Sequence, residues 1–461
     1  MLETSMRLSW LADEDDSCAW AHKSWPEFSS LKNSERFVVI LPIHGFTCAG
    51  ATAPLDHEEL LVSPVIKTAV RQVSPRFRVL VLPPLRYTVA AKGPGVLGID
   101  FETAWDLGMS LARGVKEAGF LKLVFVNSNE TAEPFVATLA VDARAAFGLQ
   151  CYSINTRLLD LHAGNEAEKS QELASLLEEI RLHRAPPLDE ALPLPERNPT
   201  QPPFIYHFPS YRPFYLPSYS RERLRSLPNR EKVRVVLPCG AIEQHGPHLP
   251  VGVDAILGQA LLDSALSDVD PLSPPVLVLP PVSFGKSNEH QGFPGTLSLD
   301  AKTLRRLVLC ISREIANLGF NHLVLFNTHG GNKAMLQLVE REINDENLLD
   351  ANYLNYPFEP ELDPQEKAWG LHADEWESSL MLACAPQLVH MEKAVCEYPA
   401  HLDDAGRLRP EKSPATCAWL TKDLSKSGVL GNAPAASPEK GKLWLAEAGK
   451  SIRQSWSGPA V

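Results

Sequence analysis

The chain has 461 residues, 44% of them hydrophobic and 22% charged, with a formal net charge of −12 at pH 7. That length predicts two or three domains and a core large enough to need no staples, and the acidic balance excludes nucleic acid as a main partner, because phosphate binding needs a basic surface. No stretch approaches the ~18 apolar residues of a membrane span, and the acidic N-terminus lacks a signal peptide's apolar run, so the expectation is a cytoplasmic protein.

Residues 1–34 read as an N-terminal extension. From 35 to 185 the pattern is that of an α/β domain. The apolar runs 38–41, 79–82 and 123–126 are short and rich in β-branched residues, as buried parallel strands are. A helical pattern covers 103–117, and Gly119 follows it as a stop. Residues 186–230 are dense in proline, which rules out a regular helix or central strand. Their aromatics Phe204, Tyr206, Phe208, Tyr211, Phe214, Tyr215 and Tyr219 predict an arm lying on the domains rather than a flexible spacer. Residues 231–461 repeat the α/β pattern, with a strand over 233–237, a helix over 301–317 and Gly319 as its stop.

The two halves match in order. RVVLP near Val235 answers VVILP near Val39, VLVLPPVSF from Val276 answers VLVLPPLRY from Val79, and LGFNHLVLFN answers AGFLKLVFVN. Three matches in one order predict an internal duplication. The eight cysteines are scattered with no CxxC pair, which predicts reduced thiols and no cysteine zinc site.

The chemistry gathers in the second half. After the strand at 233–237 comes CGAIEQHGPHLPVGVD, with Glu243, His245, His248 and Asp254 close together. Open α/β sheets place ligands at strand ends. Glu243 and His245 are two apart, so in an extended segment they face the same way. Mixed nitrogen and oxygen donors of this kind suit zinc, manganese or iron. The plain alternative is a polar loop satisfied by backbone hydrogen bonds. Next, Glu289 and His290 stand in NEHQGFPGT, either in a turn or in a loop facing substrate. His329 ends a buried strand in NTHGGN, where the glycines allow a tight turn. In GLHADEWESS, the carboxylates of Asp374, Glu375 and Glu377 either cap the following helix or supply a ligand, with His372 moving protons.

Together these four segments resemble the creatininase family, over roughly residues 231–395. The resemblance implies two tandem α/β/α sandwich domains with mostly parallel sheets, the first a degenerate copy, and two divalent metal ions in the second. It makes Glu243, His245, Asp254 and His329 metal ligands, with Asp254 bridging. Creatinine-cleaving members carry Tyr and a ligating Glu after that histidine. Gly330 and Gly331 stand there here, so creatinine itself is in doubt as substrate and Glu375 is the expected replacement ligand. His372 becomes the proton-transfer histidine and Glu377 the carboxylate that orients it. Glu289, His290, Gly330 and Trp376 would border the substrate, with specificity set by residues 284–293 and the aromatic linker.

The implied reaction is hydrolysis of a small-molecule amide, cyclic amide or formamide, by a water activated between the ions. A peptidase acting on a peptide end and an inactive scaffold are the competing readings. In the first half Thr47, Ala49 and Asn129 stand where Glu243, His245 and His329 stand in the second, GPGVLG replaces the FPGT loop, and LHAGNEAEKS is a ghost of the last motif. A half so altered is expected to hold no metal and to serve as a fused pairing partner. Family hexamers of paired subunits would then become a homo-oligomer of three such chains. Residues 400–461 show no motif and read as a helical tail.

Overall fold

The computed structural model describes residues 18–31, 36–46, 52–73, 78–89, 96–159, 165–183, 211–270, 275–354, 358–399, 408–409 and 415–457. After a short helix α1 (Trp25–Ser30), the first half runs β1 (Val38–Ile43), α2 (His57–Gln72), β2 (Val79–Val81), α3 (Phe101–Glu117), β3 (Lys122–Asn127), α4 (Glu133–Phe147), β4 (Gln150–Asn155) and α5 (Glu166–Leu182). All its strands are parallel, in the order β2-β1-β3-β4. Successive side chains of a strand face opposite ways. Val38 and Ile40 therefore enter one core with Val62, Ile66, Leu173 and Leu177 of α2 and α5. Val39 and Leu41 enter the other, with Leu107, Leu111 and Leu139 of α3 and α4. Burial on both faces is why these strands read as continuous apolar runs.

A short helix α6 (Arg221–Arg225) precedes the second half: β5 (Arg234–Cys239), α7 (Val253–Leu266), β6 (Val276–Val278), α8 (Ala301–Asn317), β7 (His322–Asn327), α9 (Lys333–Asp345), β8 (Asp350–Leu354), α10 (Pro364–Trp369) and α11 (Glu375–Cys384). Its sheet is again parallel, in the order β6-β5-β7-β8. The two sheets therefore have the same order with the same place for each strand, as a duplication requires. Gly119 and Gly319 both have positive φ, at 91° and 82°, ending α3 and α8 as expected.

Elements that correspond in the two halves meet: α3 packs against α8, and Arg306 of α8 pairs with Asp106 of α3. The N-terminal segment crosses the junction. Trp20 Nε1 donates to the Gly295 carbonyl at 2.9 Å, while the Val251 and Gly252 amides donate to the Lys23 and Ala21 carbonyls at 2.8 Å. Of the linker aromatics, Tyr211, Phe214, Tyr215 and Tyr219 are buried; Phe204, Tyr206 and Phe208 lie outside the described residues.

The C-terminal region is only partly the helical tail expected of it. β9 (Cys396–Glu397) pairs antiparallel with β12 (Gly431–Asn432), and β10 (Leu408–Arg409) pairs with β11 (Ala415–Thr416). Between β11 and β12 lies α12 (Thr421–Leu424), and only the last element, α13 (Pro438–Ser457), is long; it packs on α7 and α11. Among the described residues no helix is long and apolar enough to cross a membrane.

Candidate metal centre

Three segments at the carboxyl edge of the second sheet build the site. The first follows β5. Its Glu243 amide donates to the Val251 carbonyl at 2.9 Å, which folds residues 243–251 into a closed loop and delivers Asp254 on the first turn of α7. The second follows β7. Asn327 clamps it, with Nδ2 donating to the His329 carbonyl at 2.7 Å, and Thr328 Oγ1 donates to the Asp254 carbonyl at 2.8 Å. The third precedes α11, where the His372 backbone pairs with Leu430.

These segments bring Glu243, His245, Asp254, His329 and Glu377 together as two donor triads, Glu243–Asp254–His329 and His245–Asp254–Glu377. Asp254 belongs to both, through different oxygens: Oδ2 is 3.4 Å from His329 Nδ1 and Oδ1 is 3.5 Å from His245 Nε2. His329 Nδ1 is 3.1 Å from Glu243 Oε1, and His245 Nε2 is 3.6 Å from Glu377 Oε2. Two donors bound at ~2.1 Å to one tetrahedral ion stand about 3.4 Å apart, so the spacings from Asp254 to His329 and His245, and from His245 to Glu377, suit an ion in each triad. Among the described residues, Glu243 Oε2, His245 Nε2 and Asp254 Oδ2 are buried with no hydrogen-bond partner. Orphaned polar atoms are costly, and three of them within the residues of the two triads fit divalent cations.

The ring tautomers agree. A carbonyl oxygen only accepts, so the nitrogen facing it carries the proton. His245 Nδ1 faces the Glu243 carbonyl at 3.0 Å, and His329 Nε2 faces the Lys286 carbonyl at 2.8 Å. Each therefore turns its other nitrogen, the one able to offer a lone pair, toward the carboxylates. His372 Nε2 faces the Gln244 carbonyl at 2.6 Å, which points its Nδ1 inward, 3.7 Å from Glu243 Oε1.

Charge is concentrated here. Burial pushes Asp254 up, and Glu243 beside it adds to the shift, to about 6. Burial also opposes charge on His329, but Glu243 and Asp254 outweigh it and raise the ring to about 10. Glu377 is pushed up by burial and pulled further down by His245, to about 2. His372 is driven well below the usual histidine range by burial and by the rings of His290 and His245, whose centroids are both 4.2 Å away.

Two residues stand elsewhere than expected. Glu375 is outside both triads, its Oε1 paired with Lys440 of α13. Glu377, expected to orient His372, faces His245 and accepts from the Ala373 amide at 2.6 Å. The reason is helix geometry. Asp374 caps α11 by accepting from the Glu377 amide, so Glu375 and Glu377 both lie in the first turn. Helical residues two apart in sequence are roughly 200° apart around the axis, so the two carboxylates face opposite sides. Trp376 packs against Trp444 of α13, with ring centroids 5.5 Å apart, and against Phe358 at 5.9 Å. Glu289 approaches His329, its Oε1 3.5 Å from Nε2, and His290 Nε2 is 3.2 Å from Glu243 Oε1. Gly330 borders open space, whereas a side chain at Gly331 would land on Glu289. His248, named in the sequence but given no role, is buried against Ser378 Oγ at 2.8 Å.

The chain is similar to several known proteins. The creatinine amidohydrolase of Pseudomonas putida is 33% identical over 233 residues, 46% of this chain and 84% of that protein. The mycofactocin precursor peptide peptidase of Mycolicibacterium smegmatis is 31% identical over 214 residues, 46% of this chain and 80% of that protein. A crystal structure of creatinine amidohydrolase (creatininase) aligns with a TM-score of 0.43 at 28% identity, over 52% of this chain and 96% of that one. The creatininase family model, described as creatinine amidohydrolase, matches residues 21–204 and 218–455, and the chain accordingly belongs to the creatininase family, with the domain present twice.

Proposed function

We propose that the second half is a hydrolase of a carbon–nitrogen bond in a small amide, cyclic amide or formamide, with two divalent ions of zinc, manganese or iron. The observation that carries this reading is the sharing of Asp254 between the two triads. Glu243 and His329 would hold one ion, His245 and Glu377 the other, and Asp254 both. Such ions supply Lewis acidity and an activated water. The protein's own groups do the rest. His372 has Nε2–H tied to a carbonyl, so Nδ1 alone exchanges a proton. Burial keeps it unprotonated at rest, which suits a group that accepts a proton at Nδ1 and passes it to the leaving nitrogen. Glu289 and the open space at Gly330 offer room and a carboxylate to receive substrate N–H groups.

The test is metal content by mass spectrometry with a screen of cyclic amides and formamides. About two ions per chain are expected. Asp254→Asn should lose both and slow hydrolysis on the order of 1000-fold, the several kcal/mol that metal assistance supplies. A chain that takes up no ion after metal resupply would leave an inactive scaffold as the reading. One observation favours a second activity: the relative named as a peptide peptidase is almost as similar as the amidohydrolase, so terminal peptide cleavage belongs in the same screen.

A further inference from the structure

Gln244 lies between two residues of the ion site, and both ends of its side-chain amide are fixed by backbone. The Gly246 amide donates to Oε1 at 2.9 Å, and Nε2 donates to the Gly428 carbonyl at 3.0 Å. The same Nε2 is 3.0 Å from His290 Nδ1. An amide nitrogen only donates, so Nδ1 must accept. Thr421 Oγ1, 2.9 Å from the same Nδ1, adds a second donor. An imidazole that accepts at Nδ1 carries its proton on Nε2, and that N–H faces Glu243 Oε1 at 3.2 Å.

We infer that Gln244 and Thr421 are positioning residues, which hold His290 as an Nε2–H donor to Glu243 Oε1 and so leave Glu243 Oε2 to the ion. This rests on the proposed ion at Glu243. Oε1 already faces His290 and His329, while Oε2 has no partner; a donor on one oxygen orients the other, as second-layer groups do at metal sites. A ring with its proton on Nε2 cannot ligate through that atom. Glu243, Glu289 and His290 are close enough to hold an ion, but with this tautomer they form no third position. Two of the groups involved come from the C-terminal segment. Thr421 begins α12, and Gly428, at φ 89°, brings its carbonyl onto Gln244 where a side chain at 428 would land on Oε1. That segment is a wall of the site.

The ring nitrogens of His290 report the tautomer directly, in protein labelled with 15N-histidine, metal-free and with zinc added, using His290→Gln for assignment. The expected pattern is a proton-bearing Nε2 and a pyridine-like Nδ1 in both states, while His245 and His329 shift with zinc. Thr421→Val should weaken zinc binding about tenfold against a chromophoric chelator and mix the His290 tautomers; Thr421→Ser should restore both. A proton on Nδ1, or a zinc-induced shift at Nε2, overturns the assignment, as does a Thr421→Val protein with unchanged affinity and tautomer. Failure of the unmodified protein to bind zinc at all would instead overturn the ion site, and the metal-free spectrum separates the two failures.

Discussion

The edge of the second sheet gathers carboxylates and imidazoles into groupings able to hold an ion; among the described residues, the edge of the first does not. At the end of β7, His329 turns in toward Glu243 and Asp254. At the end of β3, the matching Asn129 instead accepts from the Thr131 amide at 3.0 Å and lies over Gly45, leaving no room for a side chain there. Asp254 is the second residue of α7, and Glu58 is the second residue of α2. Glu58 keeps its carboxylate, but Arg157 faces it at 3.5 Å and reaches Glu130 at 2.8 Å. A cation carried by the chain thus stands beside the carboxylate whose helix position matches that of Asp254. Thr47 and Ala49 lie outside the described residues, as does the start of LHAGNEAEKS. Among the described residues, all four groupings able to hold an ion come from the second half. The contrast shows that sheet and chemistry are separable. The sheet needs only continuous apolar runs buried on both faces, which both halves keep, whereas the site needs a few residues at strand ends and helix starts, which only one does.

The sharpest way to press the comparison is inside the second half, between two carboxylates on one helical turn. Glu377→Gln should lose one ion of the pair and cut turnover roughly 100-fold or more, since it removes a ligand outright. Glu375→Gln should keep both ions. Its partner Lys440 is 44% exposed but Glu375 itself only 5%, so the loss of stability should be about 1–3 kcal/mol. Metal content and thermal unfolding of the two variants side by side would decide it, and the opposite result would restore Glu375 as the ligand.

A smaller effect follows from pH. In the metal-free site His329 is raised from 6.5 to about 10, and His245 is also raised. A raised histidine contributes stability that is complete below pH 6.5 and is lost as pH climbs through about 10. Chelator-stripped protein should therefore melt at falling temperatures across that window. Zinc affinity should rise across it, by up to about tenfold per pH unit for each proton displaced. Flat curves for both would mean that these rings are not charged when the ions are absent. Smallest of all should be the effect of Glu58→Gln in the first half. It should leave the ions per chain and the rate unchanged, and a loss of metal there would break the contrast between the halves.

Much of this was legible in the sequence. The short β-branched runs gave the parallel strands to within a residue or two, because burial on both faces leaves no other pattern. Four of the five gathered donors, Glu243, His245, Asp254 and His329, follow from strand-end motifs and the family resemblance. The choice between Glu375 and Glu377 was not legible, since it depends on where α11 begins; Asp374 as its cap settles which way each carboxylate faces. Trp376, on the same turn, packs against Trp444 and Phe358. Thr421 had no signal at all, being 131 residues from the ring it meets in a stretch without a motif. Only packing could bring it there.

The segment that crosses the junction has a consequence for synthesis. Trp20 and Gly295 are 275 residues apart, and at roughly 5–20 residues per second the indole waits about a quarter of a minute or longer for its acceptor to be made. Meanwhile the first half has shelter for it. Trp20 and Phe28 both pack on Phe120, with centroids 5.2 and 6.4 Å away. A nascent first half can thus fold around its own leading residues and present the Ala21 and Lys23 carbonyls as a ready dock for the turn that delivers Asp254.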